Sequence, residues 1–361
     1  MKFVAILLIS LFISLCANSQ EKSTNKSLFH PTDKNIQYIG RIEDSDPDHP
    51  VFTYPGVQIR TGFTGPSLEM MCKLHSGYFM AEIDGGEPFK VSFLGNTIVK
   101  LANGLKDGIH QAIVTYIGEG FETLPEFHGF FVDKGKTLAP ATPLPTRKIE
   151  FIGNSITCGY GIESKSEAEH SEDKTANFYY TYAARTARNL NAQALVVARS
   201  GIGVYRSYNG PRTGDKVTMN TEYPNTLLYN DKYKWDFSRY TPDLVCINLG
   251  TNDTSTIGAD SLLLLNGFKK LYHQVRSHYP KAKIVFLCGC MMSGDQLRSA
   301  QQALETTTEY AHQQGDSEVY RFDFTPHDGS LGYGGDWHPS MRQHEKMANE
   351  LTPFLKQLMK W

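Results

Sequence analysis

A chain of 361 residues is too long for one small domain and suits two. Its composition, 40% hydrophobic and 20% charged with no low-complexity tract, is that of an ordinary globular protein. A formal charge of −2 excludes a partner held by bulk positive charge, such as nucleic acid or an anionic membrane surface.

The chain opens with "MKFVAILLISLFISLCANSQ": one early Lys, an apolar run of leader length, then small and polar residues. This pattern predicts a secretory signal peptide over residues 1–19, cleaved between about Ala17 and Ser19. A lipoprotein reading would acylate Cys16, but Leu15 is bulky for the position before it. No later apolar run is long enough to span a bilayer, so a secreted or periplasmic protein is expected.

Between residues 35 and 135 the chain consists of short alternating segments: "GVQIRTGF", "SLEMMCKL", "YFMAEIDGGEPFKVSFL" and "HQAIVTYIG". The "DGG" at 84–86 reads as a hairpin turn. Many short strands without a helix predict a β-sandwich domain, placed at 30–137. The Pro-rich "KTLAPATPLPT" (136–146) follows as a connector.

From residue 147 to 361 the pattern becomes βαβ. Strands are predicted at "KIEFIG" (148–153), "QALVVAR" (193–199), "DLVCINLG" (243–250), "KIVFLCG" (283–289) and "VYRFDF" (319–324). Helices are predicted over 176–190, 259–278, 295–314 and 340–360. Near-continuous apolar strands alternating with helices predict an α/β domain with a parallel sheet covered on both faces. Cys72, Cys158, Cys246, Cys288 and Cys290 sit mostly in apolar runs, which predicts buried free thiols rather than a disulfide framework. The "CGC" at 288–290 lacks a second pair and there is no HExxH, so neither a metal nor another cofactor is expected.

In such sheets ligands lie beyond the carboxyl ends of the strands. There the chain places Gly153-Asn154-Ser155, Ser200-Gly201-Ile202-Gly203 and Gly250-Thr251-Asn252-Asp253, with His338 in "GGDWHPS" (334–340) before the last helix. Each fragment alone is ordinary: glycines end strands, and most lone histidines are structural. Together they supply what acyl transfer requires. Ser155 is the candidate nucleophile and His338 the candidate base. The backbone N–H groups of Ser155 and Gly201 and the amide of Asn252 are candidate oxyanion donors. "GNSITCGYG" fits neither a phosphate loop, nor a dinucleotide fingerprint, nor the G-x-S-x-G elbow.

The four blocks "GNS", "SGIG", "GTND" and "DWHPS" resemble those of the SGNH (GDSL-type) hydrolases. With the β-rich region before them, "IEFIGNSITCGYG", "WDFSRYTPDLVCINLGTND" and "GYGGDWHPS" resemble carbohydrate esterase family 2. The resemblance implies a jelly-roll domain followed by a three-layer α/β/α hydrolase domain. It also implies a secreted deacetylase of plant-wall polysaccharides such as xylan and glucomannan, often at the sugar 6-hydroxyl, acting through a serine acyl-enzyme.

Two positions depart from the family pattern. Asn154 stands where Asp is usual before the serine, and Gly335 stands three before His338 where an Asp usually orients the base. Asp336, two before His338, is the alternative orienter. Some family members work as a Ser–His dyad with a backbone carbonyl holding the imidazole, and that reading is preferred here. His327 and His344 do not fit the block. Asp253 is expected to tie down the loop holding Asn252. Trp337, Tyr160 and Tyr205 flank the blocks and are candidates for packing sugar rings, with core packing as the alternative for each. The expected partner is an acetylated polysaccharide or oligosaccharide. A glycan-binding protein with a vestigial site and an esterase or lipase for small esters are the alternatives.

Overall fold

The computed structural model describes residues 25–361, so the expected leader, its cleavage site and Cys16 lie outside the described residues. The N-terminal part is built from β1 (Lys26–Phe29), β2 (Ile36–Ile39), β3 (Gln58–Thr64), β4 (Leu68–Cys72) and β5 (Tyr78–Ile83). It continues with β6 (Phe89–Ser92), β7 (Ile98–Ala102), β8 (Ile109–Tyr116), β9 (Phe127–Asp133) and β10 (Leu138–Ala139). One sheet has the order β1-β9-β4-β7; the other has β10-β3-β8-β5-β6, with β2 also on β3. All these pairings are antiparallel. The two sheets close on a core that includes Ile59, Phe63, Phe79, Val114, Phe127 and Phe130.

The sandwich reaches beyond 30–137 at both ends. β1 precedes residue 30, and the first residues of the Pro-rich segment pair with β3, Leu138 opposite Phe63 and Ala139 opposite Gly62. Only from Pro140 onward is that segment a connector, because proline has no N–H to give to a ladder.

The C-terminal part carries β11 (Arg147–Gly153), β12 (Ala192–Ala198), the hairpin β13 (Asn225–Leu227) and β14 (Asn230–Lys234), β15 (Leu244–Asn248), β16 (Lys283–Cys288) and β17 (Val319–Asp323). The order β12-β11-β15-β16-β17 is parallel throughout. Successive side chains leave opposite faces of a strand. Ile152, Val245 and Ile247 therefore pack with Leu264, Phe268 and Leu304 of the helices Ser261–His278 and Gly294–Gln313. Phe151, Leu244 and Cys246 pack with Tyr182, Ala187, Met347 and Leu351 of the helices Tyr182–Asn189 and Met341–Met359. This makes the α/β/α layering. The five cysteines of the described residues are free and buried. Among the described residues no helix is long and apolar enough to cross a membrane.

The chain leaves β11 for β12 on one side and then crosses to β15 on the other. The connections reverse between β11 and β15, and open parallel sheets bind their ligands beyond the carboxyl ends of the strands at such a point. A buried Arg41 fastens the sandwich beneath this sheet. Its guanidinium donates to the Asn225 carbonyl at 2.8 Å and to the Glu150 carboxylate at 3.2 Å, with both side chains fully buried.

Candidate active site

β11 ends at Gly153 because the chain must turn at once into the short helix Ser155–Cys158. A Cβ on Gly153 would lie 2.0 Å from the Thr157 hydroxyl, so no other residue fits without moving that helix. Asn154 is the N-cap, its Oδ1 accepting from the Ile156 N–H at 3.1 Å. An uncharged cap performs this job, at the cost of a buried Nδ2 with no partner among the described residues. Ser155 follows at the first helical position, where an N–H has no intrahelical acceptor.

His338 arrives from the other end of the domain. Its Nε2 lies 2.8 Å from the Ser155 Oγ. Its Nδ1 faces two main-chain oxygens, that of Asp336 at 3.1 Å and that of Gly335 at 3.2 Å. Carbonyl oxygens only accept, so Nδ1 must carry the proton and Nε2 must present its lone pair to the serine hydroxyl. This orientation depends on an unusual backbone. Asp336 and Trp337 have φ of 50° and 57°, in the left-handed region that a bulky residue seldom enters. The two consecutive left-handed residues curl the turn so that both carbonyls converge on the ring.

The Asp336 carboxylate is engaged elsewhere. It accepts from the Tyr160 hydroxyl at 2.8 Å and the Ser171 N–H at 3.2 Å, and it pairs with His170 at 2.8 Å. Asp336 therefore faces His338 with its main chain, while its side chain ties Tyr160 and the 162–175 loop to the turn that carries His338. Burial alone would raise its pKa, but these donors outweigh it and hold the carboxyl below the ordinary range. Burial pushes His338 the other way, below the usual histidine value, with the two carbonyls and then the Asp336 charge opposing the shift.

The other two blocks close around the serine. Gly201 has φ of 78°, and a Cβ there would meet nothing. Glycine is needed at 201 for its backbone conformation, since the left-handed region strains an L side chain whatever the space around it. The Ser155 and Gly201 N–H groups have no acceptor among the described residues. Asn252 donates one amide hydrogen to the Ile202 carbonyl at 2.8 Å, which fixes its plane and leaves the second hydrogen for a ligand. Asp253 is fully buried and accepts from the Val204, Tyr205 and Arg206 N–H groups at 3.1, 2.9 and 3.2 Å, tying the second block to the third. Gly203 makes this possible, since a Cβ there would lie 2.4 Å from the Asp253 carboxylate.

The three aromatic candidates separate. Trp337 is 58% exposed beside His338, free to meet a flat apolar ligand face. Tyr160 packs its ring 4.5 Å from the His338 ring and walls one side of that imidazole. Tyr205 is not placed to pack a sugar: it is only 8% exposed, lies in the domain core and accepts the Asp260 N–H at 2.9 Å. His344 is buried against Tyr182, and His327 packs against Tyr333; neither contacts Ser155. Sequence reasoning missed Glu119, whose carboxylate reaches the second block from the sandwich domain.

A parallel α/β/α sheet with a serine after its first strand and a histidine seated against it defines a serine ester hydrolase. Residues 151–346 match the GDSL-like Lipase/Acylhydrolase family, and residues 38–142 match the Carbohydrate esterase 2 N-terminal domain. The chain belongs to that lipase/acylhydrolase family, in the lineage of family 2 carbohydrate esterases.

The chain is 40% identical to Cellulase/esterase CelE of Acetivibrio thermocellus over 90% of its own length, and spans 40% of that longer relative. It is 30% identical to an Acetylxylan esterase / glucomannan deacetylase of Cellvibrio japonicus, covering 98% of this chain and 97% of the relative. Among solved structures, a family two carbohydrate esterase from Clostridium thermocellum in complex with cellohexaose superposes with a TM-score of 0.83 at 39% identity. That likeness covers 90% of this chain and 99% of the other.

Proposed function

We propose that the chain is a secreted carbohydrate esterase that removes acetyl groups from plant-wall polysaccharides of the xylan or glucomannan type, 6-O-acetyl esters among them. The observation that carries this reading is the 2.8 Å approach of His338 Nε2 to Ser155 Oγ, with Nδ1 held by carbonyls. The names of the relatives support the substrate class, and the cellohexaose complex of one of them supports a β-linked sugar chain as the ligand.

In this reading Ser155 Oγ attacks the acetyl carbonyl as its proton passes to His338 Nε2. The carbonyl oxygen, now negative, takes hydrogen bonds from the Ser155 and Gly201 N–H groups and the spare Asn252 hydrogen. When the tetrahedral adduct collapses, the C–O bond to the sugar breaks and His338 returns the proton to the sugar oxygen. Water, deprotonated by the same nitrogen, then releases acetate and restores Ser155. The two carbonyls on Nδ1 stabilise the imidazolium less than a carboxylate would, so the oxyanion donors carry more of the catalysis. Trp337 offers its exposed face to the sugar ring next to the ester.

The test is acetate release from acetylated xylan, glucomannan and chitin-type substrates, with the vanishing acetyl signals followed by NMR. Loss of 6-O-acetyl signals from mannan-type sugars is the expected result, abolished in Ser155→Ala. Binding of these polymers without acetate release would favour a glycan-binding role at a vestigial site. Release from small esters alone would favour the small-ester esterase.

A further inference from the structure

The second block is held from outside its own domain. Arg199 to Ile202 form a turn in which the Ile202 N–H donates to the Arg199 carbonyl at 3.4 Å. Gly201 at its third position has the positive φ that a type II turn requires. Types I and II differ by a flip of the central peptide, and glycine tolerates both. In this turn the central peptide is Ser200–Gly201, whose N–H is the candidate oxyanion donor. A flip would point a carbonyl oxygen where the N–H should be.

Glu119 lies between β8 and β9 of the sandwich. One carboxylate oxygen accepts the Ser200 N–H at 2.7 Å, and the other accepts the Ser200 hydroxyl. Two donors of one residue are thus clamped by the two oxygens of one carboxylate. The clamp has its own supports. The Gly120 N–H donates to the Thr53 carbonyl at 2.9 Å, and a Cβ on Gly120 would lie 2.4 Å from Pro125. Phe121 packs its ring 5.0 Å from Tyr229, and the same Tyr229 carries the Arg199 guanidinium over its face at 4.1 Å. Burial raises the Glu119 carboxyl, while the Ser200 donors and the Arg199 charge pull against it.

We infer that Glu119 is a positioning residue for ester hydrolysis. By fixing Ser200 it holds the Gly201 N–H toward the developing oxyanion, so the sandwich domain contributes to the chemistry of the site. This rests on the hydrolase reading above. A residue with this role affects the transition state and not substrate binding, so its loss lowers kcat and leaves KM in place.

The test measures kcat, KM and thermal midpoint with 4-nitrophenyl acetate for Glu119→Gln, Ser200→Ala and the double variant. Glutamine keeps the volume but can accept only one of the two donors. The expected result is a kcat lower by about tenfold or more in Glu119→Gln, with KM within about twofold. Ser200→Ala should show a smaller fall, and the double variant should be no worse than Glu119→Gln alone. A wild-type kcat in Glu119→Gln, or effects that multiply in the double variant, would overturn the clamp. If Glu119→Gln fails to fold, Ser200→Ala decides: a wild-type kcat there overturns the clamp as well. Ser155→Ala run alongside separates the two failures. Undiminished turnover in it defeats the hydrolase reading itself, whereas a silent Ser155→Ala beside a fully active Glu119→Gln defeats the clamp alone.

Discussion

The Ser155 hydroxyl and the His338 imidazole stand 2.8 Å apart although they lie 183 positions apart in the chain, and the other ring nitrogen of the imidazole faces two main-chain oxygens. The sheet explains the meeting. Ser155 follows the first strand of the parallel sheet, His338 precedes the last helix, and that helix packs on the face of the sheet next to the first strand.

Asp336→Asn should change kcat/KM by less than about tenfold, against the about ten-thousandfold loss expected when a triad carboxylate is neutralised. The carboxylate contacts Tyr160, Ser171 and His170 and not the base. Steady-state kinetics on 4-nitrophenyl acetate checks this; a loss of a thousandfold or more would give Asp336 the orienter's role.

The acid limb of the kcat/KM profile should reflect His338. Catalysis needs the neutral ring, so activity is present above its pKa and lost as pH falls through it. Burial lowers that pKa from the ordinary 6.5, so half-maximal activity should fall below pH 6.5. The Asp336 charge opposes the shift, so Asp336→Asn should move the limb to still lower pH. A limb displaced upward would contradict this assignment.

Gly201→Ala should cost about 1–2 kcal/mol if the turn keeps its left-handed geometry, because an L side chain is strained there. A Cβ meets no neighbour, so the whole effect comes from the backbone. A turn that relaxes to negative φ instead should retain stability and lose kcat. Thermal melts with kinetics on the same sample separate the two.

Arg41→Ala should lower stability by about 3–5 kcal/mol, because it leaves the Glu150 carboxylate buried without its charge partner. Arg41 also lies 5.0 Å from the Tyr223 ring centroid and 5.4 Å from that of Trp235, so the loss includes packing at the domain junction. Replacing both members of the pair, Arg41→Met with Glu150→Gln, should recover part of it in denaturant titrations.

Stability should decline in acid through His344. Its Nδ1 accepts the Tyr182 N–H at 3.1 Å in a buried site, and burial lowers its pKa from 6.5 to about 3. Between those values the unfolded chain binds the proton and the folded chain does not, so stability present above pH 6.5 is lost as pH falls toward 3. His344→Asn keeps an acceptor without the titration. It should melt lower at neutral pH yet show a flatter pH dependence.

Much of this was legible in the sequence, for physical reasons. The inner strands β11, β15 and β16 are buried along most of their length, so they read as apolar runs, and the crevice rule then points to their ends. Some strands of the sandwich were harder to see. β7 is five residues with a Lys inside, and β9 is interrupted by Gly129, where a Cβ would lie 2.3 Å from the Phe29 carbonyl. The helix expected over 176–190 is shorter because Thr181 caps it, its side chain accepting from the Ala184 N–H. Two features of the site left no local signal. The carbonyls on His338 depend on left-handed residues that no glycine marks, and Glu119 is 81 residues from Ser200 in another domain.

The most direct measurement is the mass of the active-site peptide after acid quench during turnover of an acetylated substrate. One acetyl group on the peptide carrying Ser155, absent in Ser155→Ala together with acetate release, is the predicted result. An unmodified Ser155 peptide with undiminished acetate release in Ser155→Ala would contradict the account.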